Sequence, residues 1–115
     1  MDSVASWWTA SHGYNHPHIV DAIQKQAAIL PHVMMGGLIN APAATLAKRL
    51  KNLLPGDLNH VFYSESGSVA MEIAMKMAWQ KALHAGETQR AKFLVFNHAY
   101  HGDTFLTMSV CDPDE

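Results

Sequence analysis

The sequence is poor in the features that mark secreted, membrane-spanning or nucleic-acid-binding chains. It has one cysteine, Cys111, which excludes an internal disulfide and suits a reducing, cytoplasmic compartment. No apolar run approaches the ~20 residues that cross a bilayer. The opening residues, MDSVASWW, lack the basic and long apolar regions of a signal peptide. No long basic run occurs and the net charge is −2, which argues against a nucleic-acid or membrane-surface partner. Internal repeats and low-complexity segments are missing too. What remains is globular material: at 49% hydrophobic and 16% charged residues the chain should bury a core, and 115 residues suffice for one small domain and not two.

The most informative stretch is residues 61–76, VFYSESGSVAMEIAMK. Val61, Phe62 and Tyr63 suit a buried strand. Ser64 to Ser68 interrupt it with small and polar residues. From Val69 the spacing turns helical, with Val69, Ile73 and Met77 in one row and Ala70, Ala74 and Ala78 in another. A Ser-Gly-Ser turn opening a helix leaves backbone N–H groups at the positive end of the helix dipole, where an anion, most often a phosphate, binds. Gly67 has no Cβ to hold an anion away from the backbone, and Ser68 adds a hydroxyl donor. The plainer reading is that Ser66 or Ser68 is only an N-cap.

Along the chain, Met1 to Ser11 is apolar and aromatic, and His12 to Pro17 (HGYNHP) is a turn. Helices are predicted at His18 to Leu30, at about Pro42 to Leu54 and at about Gly67 to Ala85, with Gly86 at the C′ position. The apolar stretch Val33 to Asn40 carries Gly36-Gly37 and reads as a loop. Strands are predicted near His60 to Ser64 and at Lys92 to Asn97. A polar loop, His98 to Thr104, leads to a short helical turn ending near Val110. Strand, long helix and strand make one parallel βαβ unit, so the class is α/β. Two strands with open edges do not make a stable parallel sheet, so the sequence reads as a piece of a larger domain, marginal or insoluble alone.

Four stretches together carry a family resemblance. SWWTASHGYNHP (Ser6 to Pro17), HVMMGGLINAPA (His32 to Ala43), SGSVAMEIAMKMA (Ser66 to Ala78) and YHGDTFLTMSVCDPD (Tyr100 to Asp114) resemble the class III aminotransferases in order and spacing, over essentially the whole chain. The paired tryptophans and the tail SVCDPD look most like the member of biotin synthesis that moves the amino group of S-adenosylmethionine to 8-amino-7-oxononanoate, giving 7,8-diaminononanoate. The resemblance implies residues 1–115 are part of the large domain of a fold-type I transferase, truncated at both ends. It also implies pyridoxal 5'-phosphate as cofactor, small-molecule substrates and a homodimer.

Site roles follow from the resemblance only at matching positions. Gly67 and Ser68 would hold the cofactor phosphate, in agreement with the local reading of the turn. Tyr100 matches the aromatic residue that stacks on the pyridine ring and borders the substrate; a flat ring holds the cofactor and leaves its other face open. Trp7 and Trp8 match a substrate pocket with room for an aliphatic chain. Met34 to Gly37, Met34 and Gly36 among them, resemble a segment that reaches the partner subunit's site. Met35 departs from the family pattern, which favours an aromatic there, and Asn40 departs where His is usual; both bear on the pocket's shape and not on the cofactor.

The family's Schiff-base lysine, its pyridine-nitrogen carboxylate and its substrate-carboxylate arginine have no counterpart here. No catalytic residue is therefore assigned, and the 115-residue chain alone is expected to be inactive. Lys76, four residues after Glu72, reads as a surface partner of that glutamate. His12, His16 and His18 straddle a proline turn with no completing ligand, so turn and packing roles are preferred to zinc and no metal is expected. Trp7 and Trp8 also admit a plain core role. Asp103 is more simply a helix cap than a general base. Two other functions stay open: another class III aminotransferase acting on an ω-amino acid or diamine, and a non-catalytic truncated chain.

Overall fold

The computed structural model describes residues 2–7 and 9–112. Four helices follow one another: α1 (Pro17–Ile29), α2 (Ala41–Leu53), α3 (Gly67–His84) and α4 (Phe105–Met108). The chain divides into two compact units, Met1–His60 and Val61–Glu115.

In the first unit the N-terminal turn is gathered by one carboxylate. Asp2 accepts the Val4 N–H at 3.0 Å, the Ser6 N–H at 2.6 Å, the Ser6 hydroxyl at 2.9 Å and the Tyr14 hydroxyl. The Tyr14 hydroxyl is the largest cause that lowers the Asp2 pKa to about 2. Under this clamp Ala5, Ser6 and Trp7 all take left-handed φ values, 48°, 47° and 52°. α1 starts on Pro17, whose fixed φ suits a first helical position. Leu30 is extended because Pro31 follows it. α2 is capped by Asn40, whose side chain accepts the Ala43 N–H at 2.9 Å. The α1 residues Ile19, Ala22, Ile23 and Ala27 line an open apolar groove. No residue of α1 or α2 is fully buried.

In the second unit α3 is capped by Ser66, whose hydroxyl oxygen accepts the Val69 N–H at 3.2 Å. It ends as expected at Gly86 (φ +76°), with Glu87 N–H donating to Ala82 O at 2.9 Å and Gly86 N–H to Leu83 O at 3.0 Å. The core is small and lies between α3 and the α4 segment: Met75 is 7% exposed and Thr107 is fully buried.

The expected βαβ unit is not seen. Among the described residues no strand forms, residues 61–64 and 92–96 included. A strand exists only through its neighbour's hydrogen bonds, and these two runs do not pair with each other. Several of their apolar side chains stay in solvent: Phe62 is 71% exposed, Leu94 99% and Phe96 84%.

Candidate functional site

The second unit brings the Ser-Gly-Ser turn and the Tyr100 segment together. Gly67 and Ser68 are the first residues of α3, so their N–H groups precede the first intrahelical hydrogen bond, Ala70 N–H to Ser66 O at 3.0 Å. Gly67 has an ordinary negative φ, and a Cβ built on it would meet nothing within 4 Å. The space beside the turn is open, and the fold itself does not require glycine there.

Ser68 meets the loop from the other side. Its Oγ accepts the Asp103 N–H at 3.0 Å. That contact uses a lone pair and leaves the hydroxyl proton for another acceptor. Gly102, buried and at φ +134°, presses against the same residue: a Cβ on it would lie 2.7 Å from Ser68 Cα and 2.7 Å from Ser68 Oγ. Here glycine is required twice, by conformation and by close approach.

Tyr100 lies two residues before Gly102 and is 66% exposed. The Asp103 carboxylate beside its hydroxyl pushes the pKa up, desolvation acts in the same direction, and the Ser68 side chain works against both. Tyr100, Asp103 and Ser68 therefore form one electrostatic neighbourhood at the N-terminal end of α3.

One turn further along α3, Glu72 reaches the same segment. Its Oε2 accepts the Thr104 hydroxyl at 2.7 Å, the Leu106 N–H at 3.0 Å and the Thr107 N–H at 3.3 Å. The Thr104 hydroxyl is the first cause holding the Glu72 carboxyl below its usual range, with the two backbone donors and Lys76 adding to it and desolvation opposing. The expected pairing of Glu72 with Lys76 is thus corrected. The carboxylate serves the α4 N-terminus, where three donors converge, and Lys76 acts on it only through space. Asp103 is likewise not the helix cap; Thr104 is. Cys111 supports the loop from beneath, accepting the His101 N–H at 3.3 Å and donating to Thr107 O at 3.2 Å.

The remaining expected site residues lie in the first unit. Trp7 stands 84% exposed on the left-handed turn. Met34 and Gly36 sit on the exposed segment between α1 and α2, where Gly37 (φ +94°) makes the bend. Trp8 lies outside the described residues. His12 and His16 meet edge to face at 6.4 Å, and among the described residues no cluster suits a metal ion.

Glu72 and Gly102 were missed by sequence reasoning. Both have a signal in hindsight. A glutamate amid apolar helix residues, on the face shared with Ser68, was available to cap something, and a glycine followed by Asp-Thr marks a tight approach before a cap.

The profile of the aminotransferase class-III family matches residues 1–115. The chain belongs to the class III aminotransferases. An adenosylmethionine-8-amino-7-oxononanoate aminotransferase of Corynebacterium glutamicum is 49% identical over 114 residues, covering 99% of this chain and 27% of that protein. The one of Saccharomyces cerevisiae is 42% identical, over 99% of this chain and 24% of its own length. The crystal structure of the enzyme of that name from Methanocaldococcus jannaschii superposes with a TM-score of 0.86 at 40% identity, covering 96% of this chain and 25% of that one. The chain thus spans about a quarter of the length of the class III relatives it matches. Such a likeness supports a fragment of the fold-type I architecture. It also fits the uncovered apolar residues of both units, since a segment of a large domain packs against parts it does not contain.

Proposed function

We propose that this chain is the cofactor-phosphate portion of a pyridoxal-phosphate-dependent aminotransferase, which transfers the amino group of S-adenosylmethionine to 8-amino-7-oxononanoate. Class III members depend on pyridoxal phosphate in general, and the relatives cited carry that enzyme's name. The single observation that carries the reading is Gly67: it needs no positive φ and has open space beside it, yet it is glycine at the N-terminus of a helix. A ligand approaching the backbone closely accounts for that better than the fold does.

When bound, the cofactor supplies the electron sink for moving an amino group. The residues of this chain bind and orient. The Gly67 and Ser68 N–H groups and the Ser68 hydroxyl donate to the phosphate, aided by the positive end of the α3 dipole. Tyr100 is exposed beside them, and the Asp103 carboxylate holds its hydroxyl pKa above the usual tyrosine value. Trp7, Trp8, Met34 and Gly36 belong to the substrate side, with Met34 and Gly36 reaching the second subunit of a cytoplasmic homodimer. In the full-length protein the runs at 61–64 and 92–96 pair as parallel strands with others of the same sheet, which covers Phe62, Leu94 and Phe96.

The test is a visible absorbance scan of the full-length protein. A cofactor band that shifts on adding S-adenosylmethionine, with 7,8-diaminononanoate formed, supports the proposal. A band that responds only to an ω-amino acid or diamine assigns another class III activity. No band at all overturns the reading. The 115-residue chain alone should form no product, since the lysine, carboxylate and arginine of the chemistry are absent from it.

A further inference from the structure

The structure assigns a positioning role to Glu72: with the close approach of Gly102 to Ser68, it fixes the segment that carries Tyr100 against the N-terminus of α3. This inference rests on reading that N-terminus as a cofactor-phosphate cradle.

The segment cannot hold itself. α4 is four residues long, Phe105–Met108, far below what a helix needs to persist by its own hydrogen bonds. Tyr100 contributes little packing, since it is exposed. Its position is therefore set by backbone anchors further along the loop. The first is at Gly102 and Asp103, where the backbone lies on Ser68 and donates to its Oγ at 3.0 Å. The second is Glu72, whose Oε2 collects Thr104, Leu106 and Thr107 within 3.3 Å. Ser68 and Glu72 are four residues apart on one helix, hence on one face. The helix that presents the phosphate donors also presents the carboxylate that anchors the ring-bearing loop. Phosphate cradle and aromatic ring are thereby held in one frame.

An anion does this better than a neutral side chain. Three donors converge on one oxygen, and charge-assisted hydrogen bonds are roughly twice as strong as neutral ones. Thr107, one of the residues the Glu72 carboxylate binds, is fully buried, and Glu72 itself is half-buried.

The experiment compares the full-length protein with its Glu72→Gln and Glu72→Ala variants. In the cofactor-free proteins, amide hydrogen exchange at residues 102–108 should quicken about tenfold or more in Glu72→Ala, and less in Glu72→Gln, with the middle of α3 unchanged. Affinity for pyridoxal phosphate should fall about tenfold in Glu72→Ala, as for one lost strong contact. Affinity for inorganic phosphate, which needs only Gly67 and Ser68, should stay within about twofold. If Glu72→Ala does not fold, Glu72→Gln carries the same comparison. Unchanged exchange at 102–108 overturns the inference. So does an equal fall in affinity for phosphate and cofactor, which would mean a general loss of structure. A wild-type protein that binds inorganic phosphate but shows no cofactor band overturns the functional reading instead, and the exchange data then judge the anchor by itself.

Discussion

The Glu72 carboxylate and the Thr104 hydroxyl, 32 residues apart in sequence, are joined by a 2.7 Å hydrogen bond. This bond and its two backbone companions tie α3 to the segment after Tyr100. They also explain why a charged residue sits on a helix face that otherwise meets the small core around Met75. A carboxylate there satisfies N–H groups that a four-residue helix leaves open.

The docking should depend on pH in one direction. Glu72 has a folded pKa below its ordinary value of 4.5. Its contribution is therefore full above about that pH, where the carboxylate is charged in both states, and is lost as pH falls through the folded pKa. Melting of the full-length protein between pH 7 and pH 3 should show an acid-side loss of stability that is smaller in Glu72→Gln. Equal acid sensitivity in both proteins would contradict the assignment.

Gly102→Ala should be costly. The new Cβ would sit 2.7 Å from backbone and side-chain atoms of Ser68, at a φ of +134°. Strain of this kind costs about 1–3 kcal/mol before any steric shift. The loop must move off Ser68, so Asp103 N–H loses its acceptor. Denaturant unfolding of the full-length protein and its cofactor affinity should both register the change, with affinity down about tenfold or more.

Much of this was legible in local chemistry. The Ser-Gly-Ser turn, Pro17 at the start of α1 and Gly86 beyond α3 each act within a few residues of themselves, and α1, α2 and α3 each lie within a residue of their expected bounds. The strands were not recoverable, because Val61 to Tyr63 and Lys92 to Phe96 carry strand propensity but a strand is made by its neighbours. Glu72 and Gly102 escaped for a related reason. Their partners, Thr104 and Ser68, are more than 30 residues away in sequence, roughly, and an i,i+4 lysine offered Glu72 a nearer but weaker explanation.

By itself the 115-residue chain should self-associate. Phe62, Leu94 and Phe96 are exposed on two runs that form no strand among the described residues, and exposed apolar side chains on such runs are templates for pairing. Light scattering of the purified chain at micromolar concentration should report species larger than the 12.7 kDa monomer. Charged substitution at Leu94 and Phe96 should reduce them. A stable monomer at those concentrations would show that the runs are protected in some other way.

The sharpest separation of folding from binding is at Gly67. Its backbone is already helical and a methyl group would meet no atom within 4 Å, so nothing in the chain opposes alanine. Gly67→Ala should leave the stability of the cofactor-free full-length protein unchanged or raised by about 0.5 kcal/mol, through a less flexible unfolded chain. The same methyl group should stand where an anion must approach the helix N-terminus. Affinity for pyridoxal phosphate and for inorganic phosphate should then fall together, by about tenfold or more. That pattern differs from the one expected for Glu72→Ala, where only the whole cofactor is affected, so the two variants assign cradle and ring position separately. Should Gly67→Ala unfold the protein instead, the glycine would be a structural requirement and the phosphate assignment would lose its main support.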